Sequence, residues 1–318
     1  MNPYKKITII IPFLNEGVEV EETVKNIKEH AKIPFDIILI NDGSTDKYNY
    51  FQVAQTYNCI YREHKNRVGV ASSRDEGVLL ARTKYILLLD AHMRVYQDDW
   101  LENIITHLEE LSDNLLCAAT IPLDLDGNKT SEKIGYGAYW DFNTSNIHWV
   151  TKITSEEKKS RRVEVPCLLG ASYAFDRDYW LKLKGLEGLS SYGLDEQFIC
   201  LKNWIMGGKS YVALDVKFGH KFRDNTTVPY ELNSPDFIRN ILLVAEMFYS
   251  TSFQANLLSF LKEQNGLDFL MYQIASLEIY QERIVSTKLF FKENATRSFS
   301  ELVSYNDYFI QSRNEECT

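Results

Sequence analysis

The stretch ITIIIPFLNE, from Ile7 to Glu16, decides the fold of this chain. Its first part, Ile7 to Pro12, is a nearly continuous run of β-branched residues, which is typical of a strand buried on both faces. A helical stretch follows, and its apolar residues recur at a spacing that puts them on one stripe: Val20, Val24 and Ile27. A buried strand followed by an amphipathic helix is the first unit of an α/β fold built on a mostly parallel sheet.

The alternation continues through the first half of the chain. Further strands are predicted over Phe35 to Ile40, residues 57–62 and Tyr85 to Leu89, and a helix is predicted over Val70 to Ala81. In sheets of this kind, ligands bind beyond the carboxyl ends of the strands. Polar groups follow three of the strands, and we expect them to meet at one rim of the sheet: Asn15-Glu16, Asp42 and Asp90-Ala91-His92.

The pattern changes after the first half. Residues from Asp124 to Val163 are rich in Gly, Tyr, Trp and charge, which predicts loops over the site, and a strand-like return follows from Val163 to Gly170. From Asn233 onward the apolar spacing is helical, and several residues share a face: Phe237, Ile241, Val244, Ala245 and Phe248. We therefore expect a catalytic domain over residues 1–230 and a helical accessory region over residues 231–318.

Composition limits the classes of partner. Hydrophobic residues make up 45% of the chain, so a sizeable core can be buried. The net charge of -9 argues against a protein that binds nucleic acid, because the phosphates would need a basic field. A nucleotide-sugar remains compatible, since a metal ion and a few arginines can hold a diphosphate. The five cysteines form no CxxC pair, and their odd number fits a reduced setting.

The expected location follows from the same survey. The N-terminus, Met1 to Lys6, is polar and predicts no signal peptide. No run of eighteen apolar residues is present that could span a bilayer. We expect a cytoplasmic protein; peripheral association with the inner face of a membrane and homo-oligomerisation through the C-terminal helices stay open.

Asp90-Ala91-His92 follows a buried strand and carries a possible metal site. Residues two apart at a strand end can point to the same side, so a carboxylate oxygen and an imidazole nitrogen can converge on a cation. This ligand set suits Mn²⁺ and tolerates Mg²⁺ or Zn²⁺. The alternative is that Asp90 caps the next helix and His92 is an ordinary loop residue.

Two further segments could bind a nucleotide. Asp42, at a strand end, could accept the N3–H of uracil, although an Asp-Gly-Ser-Thr segment is also typical of a turn or a helix cap. Gly69 opens a helix whose free N–H groups could bind an anion, with help from Arg67 and Arg74. The alternative is a pair of solvated arginines.

The second half adds candidates for the sugar side. Small residues around Gly170 would let a sugar approach the backbone, or would serve tight strand packing. Asp195 and Glu196 open a helix, where they could bind or deprotonate an acceptor hydroxyl, or merely complement the helix dipole. His220 follows an apolar strand, and a lone histidine there is more often structural than a ligand.

Order and spacing make these segments more specific together than singly. The chain resembles GT-A fold glycosyltransferases of the family 2 type in two motifs and in the small-residue helix start at Gly69: IIIPFLNE (Ile9 to Glu16) and LINDGSTD (Leu39 to Asp46). It resembles the polypeptide N-acetylgalactosaminyltransferases more closely in three others: LLLDAH (Leu87 to His92), YGLDE (Tyr192 to Glu196) and GHKFR (Gly219 to Arg223). The resemblance covers about residues 5 to 225.

The resemblance implies a GT-A catalytic domain that uses a UDP-sugar and a divalent cation. Three residues match the protein ligands of a Mn²⁺ or Mg²⁺ ion: Asp90, His92 and His220. Asp42 matches the uracil contact, and Tyr192 falls on a gating tryptophan. From the strand ends, the helix start and the resemblance together, we expect the donor to contact one set of residues: Pro12, Asn15, Glu16, Asp42, Arg67, Arg74, Gly170, Tyr192 and Arg223.

Departures from the family pattern limit what is implied. Leu14 stands where the close relatives have a histidine, Leu194 replaces a glycine, and Glu196 replaces an asparagine. The resemblance therefore does not name the sugar, the acceptor or the stereochemical outcome. The change to Glu196 favours inversion, with Glu196 as the catalytic base and Asp195 as an anchor for the acceptor hydroxyl.

The sequence thus predicts transfer of a sugar from UDP-GalNAc, UDP-GlcNAc or UDP-Gal to a hydroxyl of a glycan or polypeptide. Two alternatives remain. A sugar nucleotidyltransferase would need an N-terminal Gly-rich phosphate loop, but Phe13 to Gly17 contains one glycine. A catalytically weak UDP-sugar-binding module would have less reason to retain all three candidate metal ligands.

Overall fold

The computed structural model describes residues 5–223, 227–230 and 234–315. Within these ranges a mixed sheet forms the centre of the molecule, with helices on both faces, which confirms the predicted α/β class. The strands are β1 (Ile7–Phe13), β2 (Asp36–Asn41), β3 (Ile60–Glu63), β4 (Tyr85–Leu89), β5 (Met93–Val95), β6 (Leu115–Leu123), β7 (Ala138–Asp141), β8 (Asn146–Trp149), β9 (Arg162–Glu164), β10 (Ser172–Asp176) and β11 (Ser210–Lys221).

Eleven α-helices surround the sheet in the described ranges. They are α1 (Val18–Glu29), α2 (Tyr50–Thr56), α3 (Val70–Leu80), α4 (Trp100–Glu110), α5 (Arg177–Lys182), α6 (Asp195–Ile205), α7 (Ser234–Phe248), α8 (Thr251–Asn265), α9 (Leu267–Ser276), α10 (Gln281–Asn294) and α11 (Phe299–Glu315). Short 3₁₀ turns lie at Glu157–Lys159 and Leu277–Tyr280. As predicted, α1 buries the stripe of Val20, Val24 and Ile27.

The strand order brings the ends of several strands to one rim. The main sheet runs β3-β2-β1-β4-β10-β6-β11-β5, and β9 also pairs with β11. Strands β3, β2, β1 and β4 are mutually parallel, and β11 is parallel to β6. Strand β10 runs antiparallel between β4 and β6, so it begins where its neighbours end. The ends of β1, β2, β4 and β11 and the start of β10 therefore share a rim.

The middle of the chain is more regular than its pattern predicts. Strands β7 and β8 form an antiparallel hairpin within the segment expected to consist of loops. The expected return strand over Val163 to Gly170 is shorter, because β9 ends at Glu164. Gly170 lies in a turn just before β10, so it belongs to the rim and not to a strand.

The predicted C-terminal helices exist and pack on the sheet domain. Ile241, Val244 and Ala245 are buried in a hydrophobic cluster that also contains residues of the sheet, such as Ile10 and Tyr173. The division between residues 230 and 231 adjoins positions 231–233, which lie outside the described residues, and it stays a prediction. Within the described ranges, no helix is both long enough and apolar enough to cross a bilayer.

Candidate active site

A cleft opens at the rim where the strand ends meet. The carboxyl ends of β1, β2, β4 and β11 contribute to its floor, and the turn before β10 and the start of α6 form one wall. Its lining contains all five predicted metal and catalytic residues: Asp90, His92, Asp195, Glu196 and His220. Because the carboxyl ends of parallel strands meet at one rim, residues that are distant in the chain lie together in this cleft.

Asp90, His92 and His220 form a compact cluster in the cleft. One ligand atom from each lies within 4.8 Å of the others. His220 Nε2 is 3.1 Å from His92 Nε2 and 3.5 Å from Asp90 Oδ2. Adjacent ligands of a cation bound at about 2.0–2.2 Å stand about 3 Å apart, so these spacings fit a divalent metal. Burial lowers the pKa of His220, which favours the neutral imidazole that a metal requires.

Glu16 and Arg223 support this cluster from behind. His92 Nδ1 lies 3.2 Å from Glu16 Oε2, which directs its other ring nitrogen toward His220. Arg223 donates to both Glu16 oxygens at 2.8 and 2.5 Å. Burial alone would raise the pKa of Glu16, but the hydrogen bonds and charges of His92 and Arg223 lower it. Glu16 therefore stays a carboxylate that orients His92.

Arg74 connects the metal cluster to the acidic pair. Its guanidinium is buried and donates to Asp90 Oδ1 at 2.9 Å and to Asp195 Oδ2 at 2.8 Å. It also donates to the carbonyl oxygen of Gly170 at 3.2 Å. Because Asp90 Oδ1 is held in this way, Oδ2 is left to face His220. Arg74 fixes the relative positions of two carboxylates and one turn.

The acids at the start of α6 occupy different environments. Leu194 precedes them with φ 70°, a left-handed conformation that turns the chain sharply into the helix. Asp195 is held by Arg74, whereas the Glu196 side chain has no hydrogen-bond partner among the other described residues. A Cβ on Gly170 would lie 3.0 Å from Glu196 Oε2, so only glycine fits there without a shift. Burial, and then the charge of Asp195, raise the pKa of Glu196 to about 7.

Asp42 is held by the loop that leads into α3. Its Oδ1 accepts from Val68 N at 2.8 Å and lies 3.0 Å from His64 Nδ1. Its Oδ2 accepts from Gly69 N at 2.9 Å. His64 Nε2 lies 2.5 Å from Glu76 Oε2. The N–H groups of Val68 and Gly69, which precede α3, are thus taken by the Asp42 carboxylate, and Val70 N donates to the carbonyl oxygen of Ser191. Binding of the donor diphosphate at this helix start stays a prediction.

The match to a known family follows this geometry. The model of glycosyl transferase family 2 matches residues 8–181, which is more than half of the chain. The chain belongs to glycosyl transferase family 2. The matched range contains the ends of β1, β2 and β4 and the turn at Gly170, while Asp195, Glu196 and His220 lie beyond it.

Two relatives of this glycosyltransferase carry the more specific resemblance. It is 27% identical over 234 residues to polypeptide N-acetylgalactosaminyltransferase 8 of Drosophila melanogaster, with 70% of this chain and 39% of the relative covered. It is 25% identical over 254 residues to polypeptide N-acetylgalactosaminyltransferase 10 of Homo sapiens, with 76% and 42% covered. The chain therefore spans about two fifths of the length of these curated relatives.

Solved structures confirm the predicted GT-A fold of the glycosyltransferase. A crystal structure of GalNAc-T7 with UDP, GalNAc and Mn²⁺ superposes with a TM-score of 0.72 at 20% identity, covering 98% of this chain and 58% of that one. A structure of S. aureus TarS 1–349 in complex with UDP-GlcNAc gives a TM-score of 0.54 at 14% identity, covering 81% and 72%. At these identities the likeness concerns the fold.

Most of the predicted donor-binding residues line the cleft of the glycosyltransferase. These are Pro12, Glu16, Asp42, Arg67, Arg74, Gly170 and Tyr192. Asn15 and Arg223 are not among the described residues that line it. The side chain of Asn15 accepts from Thr45 N and Asp46 N, at 2.6 and 3.2 Å, and so ties the β1 end to the loop after β2. Arg223 forms an ion pair with Glu16.

Several lining residues escaped the sequence reasoning. Aromatic side chains from separate elements enter the cleft: Trp149, Phe222, Tyr230 and Phe237. Phe222 lies in the GHKFR motif and Phe237 on the predicted helical face, but neither pattern shows that these side chains reach the cleft, because that depends on how distant elements pack. His64 was also missed, although a usable signal existed, since it follows β3 directly and β3 is the parallel neighbour of β2.

Proposed function

We propose that the chain transfers a sugar from a UDP-sugar to an acceptor hydroxyl, and that a divalent cation held by Asp90, His92 and His220 assists the transfer. The observation that supports this most directly is the three-residue cluster, which lies in the same cleft as the carboxyl group of Glu196. The fold alone would not support it, because function depends on the site.

The donor half of the proposal rests on charge. When bound, the metal neutralises negative charge on the leaving diphosphate, as a Lewis acid. Asp90, His92 and His220 would supply three ligands to the metal, so phosphate oxygens could supply the others. Arg74 keeps the Asp90 carboxylate in position, and Glu16 does the same for His92. Arg67, which lies over the Tyr230 ring with 5.4 Å to its centroid, is proposed to contact the donor.

The acceptor half rests on Glu196. A general base must reach the proton of the attacking hydroxyl, and its pKa is best near the working pH. A carboxyl group with a pKa of about 7, which no other side chain of the described residues engages in a hydrogen bond, suits that role. Asp195 is proposed to act through Arg74, because its carboxylate is already engaged there and is nearly fully buried. This revises its expected role as an anchor for the acceptor hydroxyl.

The relatives support the proposed donor and acceptor classes. One structure of similar fold contains UDP, GalNAc and Mn²⁺, and another contains UDP-GlcNAc. The sequence relatives are named as polypeptide N-acetylgalactosaminyltransferases. We therefore propose UDP-GalNAc, UDP-GlcNAc or UDP-Gal as donor, Mn²⁺ or Mg²⁺ as metal, and a glycan or polypeptide hydroxyl as acceptor. The helices after residue 230 are proposed as an accessory region of the catalytic domain.

The test is release of UDP from a panel of donors. The chain is incubated with UDP-GalNAc, UDP-GlcNAc and UDP-Gal, with GDP-mannose as the nucleotide control, in Mn²⁺ or in EDTA. We expect Mn²⁺-dependent release from at least one UDP-sugar and none from GDP-mannose. UDP binding without release from any donor would indicate a binding module, and release that persists in EDTA would contradict the metal role.

A further inference from the structure

We infer that His64 is a positioning residue for nucleobase recognition, because it holds Asp42 so that one acceptor position of its carboxylate remains for a hydrogen-bond donor on the base. The inference rests on the proposed function, in which Asp42 contacts the uracil ring. It extends that function to a residue outside the cleft lining, at the end of the neighbouring strand.

The register of the sheet makes this contact possible. Asn41 at the end of β2 pairs with Glu63 at the end of β3, so the next residues, Asp42 and His64, leave the sheet side by side. His64 N donates to the Asn41 carbonyl at 2.9 Å, which continues the ladder by one bond. The imidazole is therefore held by backbone pairing as well as by its own hydrogen bonds.

Both ring nitrogens of His64 face carboxylates. Asp42 lies at Nδ1 and Glu76 of α3 lies at Nε2, while Arg62 donates to the other oxygen of Glu76 at 2.6 Å. Only 9% of the His64 side chain is exposed. Burial alone would lower its pKa, but the hydrogen bonds that His64 donates to Asp42 and Glu76, with the charges of both carboxylates, outweigh burial and raise it. Both nitrogens then act as donors, since carboxylates only accept.

Counting acceptor positions gives the consequence for Asp42. A carboxylate offers about four lone-pair positions, two on each oxygen. Val68 N and His64 occupy those of Oδ1, and Gly69 N occupies one on Oδ2. Asp42 lines the cleft, so the position left on Oδ2 is the one available to a ligand. It can only accept, so it selects a base with a ring N–H, such as uracil, over cytosine.

Two substitutions separate the bonds of His64. The amide nitrogen of asparagine can take the place of Nδ1, so His64→Asn can keep the bond to Asp42 and lose the one to Glu76. The amide nitrogen of glutamine can take the place of Nε2, so His64→Gln can keep only the bond to Glu76. The control is the surface variant His30→Gln, because His30 also pairs with an aspartate, Asp98, and neither residue is among those that line the cleft.

The measurement is the ratio of the dissociation constants of CDP and UDP in Mn²⁺ by calorimetry. We expect the native chain, His30→Gln and His64→Asn to prefer UDP by about 10-fold or more, as for one well-placed hydrogen bond. We expect the preference of His64→Gln to fall below about 3-fold. A native ratio in His64→Gln, or an equal loss in both His64 variants, would overturn the inference. Failure of the native chain to bind UDP would refute the proposed function itself.

A measurement on the native protein covers the case in which a variant does not fold. The ¹⁵N resonance of His64 Nδ1 is followed while UDP or CDP is added in Mg²⁺, which avoids paramagnetic broadening. A base that donates to Asp42 shares the carboxylate that accepts from His64 Nδ1 and so changes that hydrogen bond. UDP should therefore shift this resonance more than CDP does. Equal or absent shifts at saturating UDP would contradict the role of His64.

Discussion

Two groups of histidines and carboxylates lie at the same rim, and they differ in how completely the protein satisfies them. The open cluster consists of Asp90, His92 and His220, and the filled chain consists of Asp42, His64 and Glu76. In the open cluster, two imidazole nitrogens face each other at 3.1 Å. In the filled chain, both nitrogens of His64 face carboxylates, at 3.0 and 2.5 Å.

This difference separates binding from positioning. Glu16 can only accept from His92 Nδ1, so the lone pair of His92 Nε2 is directed toward His220 and is available to a cation. His64 has no such capacity left, and its charge and geometry serve its neighbours instead. Residue type alone would assign His64 to the same class of site as His92 and His220. A histidine whose second ring nitrogen faces a carboxylate, as in His64, positions its neighbours, whereas one whose second nitrogen faces the cluster can bind a metal.

The largest effect is expected from breaking the open cluster. His220→Ala should reduce Mn²⁺-dependent UDP release and transfer by about 100-fold or more, since even the partners that orient a ligand are worth 10- to 100-fold. The fold should survive, because His220 Nδ1 has no hydrogen-bond partner among the described residues. The measurement is the rate as a function of Mn²⁺ concentration, with thermal unfolding as the control for folding.

A matched variant sharpens this result. His64→Asn replaces a histidine of the filled chain and should leave the Mn²⁺ dependence unchanged while His220→Ala abolishes it. If His220→Ala kept the native Mn²⁺ dependence, the three-ligand site would be wrong. If both variants lost it equally, the distinction between open and filled histidines would not hold.

A smaller effect is expected at Glu196, whose carboxyl group has no hydrogen-bond partner among the other described residues. Glu196→Gln should lower the transfer rate by about 100-fold. The native rate should rise with pH through the pKa of about 7, because the base acts when deprotonated, and the variant should lose this rise. The measurements are the rate between pH 5 and 9 and the anomeric configuration of the product. A near-normal rate in the variant, or retained configuration, would exclude Glu196 as the base.

Stability gives a second and independent test of Glu196. A carboxyl group whose pKa rises on folding is protonated more readily in the folded state, so its contribution to stability falls as pH increases from about 4.5 to about 7. Glu196→Gln should therefore match the native chain near pH 4 and exceed it at pH 8 by about 3 kcal/mol, since each unit of pKa shift is worth about 1.4 kcal/mol. Thermal unfolding without metal or nucleotide measures this, and equal stability at pH 8 would contradict the raised pKa.

Much of this site could be predicted from strand ends. Asp42, Asp90 and His92 follow apolar runs, and parallel strands bring such positions together whatever the intervening sequence. His220 needed the motif, since nothing in its own pattern distinguishes a ligand from a structural histidine. The contacts between Arg74 and Asp195 could not be predicted, because the two lie far apart in the chain and their pairing depends on how α3 and α6 pack.

The accessory region shows the same limit. Its helical spacing was evident, but Asn240 on α7 reaches the segment that leads into the acidic pair. Its amide nitrogen donates to the carbonyl oxygens of Ser190, Tyr192 and Gly193 at 2.8, 3.3 and 3.1 Å, and its oxygen accepts from Ser190 N at 3.0 Å. A polar residue within an apolar stripe gives no sign of which distant backbone it will satisfy.

The smallest effect is expected from Asn240→Ala. Asn240 is 1% exposed and fully engaged, so its removal leaves backbone groups unpaired and should cost about 1–3 kcal/mol of stability. The segment it holds carries Tyr192 and leads to Glu196, so the KM for the donor sugar should rise several-fold while Mn²⁺ affinity stays native.

Glu246→Gln on the same helix, which removes only a surface pair with Lys288, is the control and should change neither stability nor KM. If Asn240→Ala lost Mn²⁺ binding as His220→Ala does, residues that only position the cleft could not be distinguished from residues that bind the metal. If its KM stayed native despite the lost stability, α7 would be a packing element without influence on the cleft.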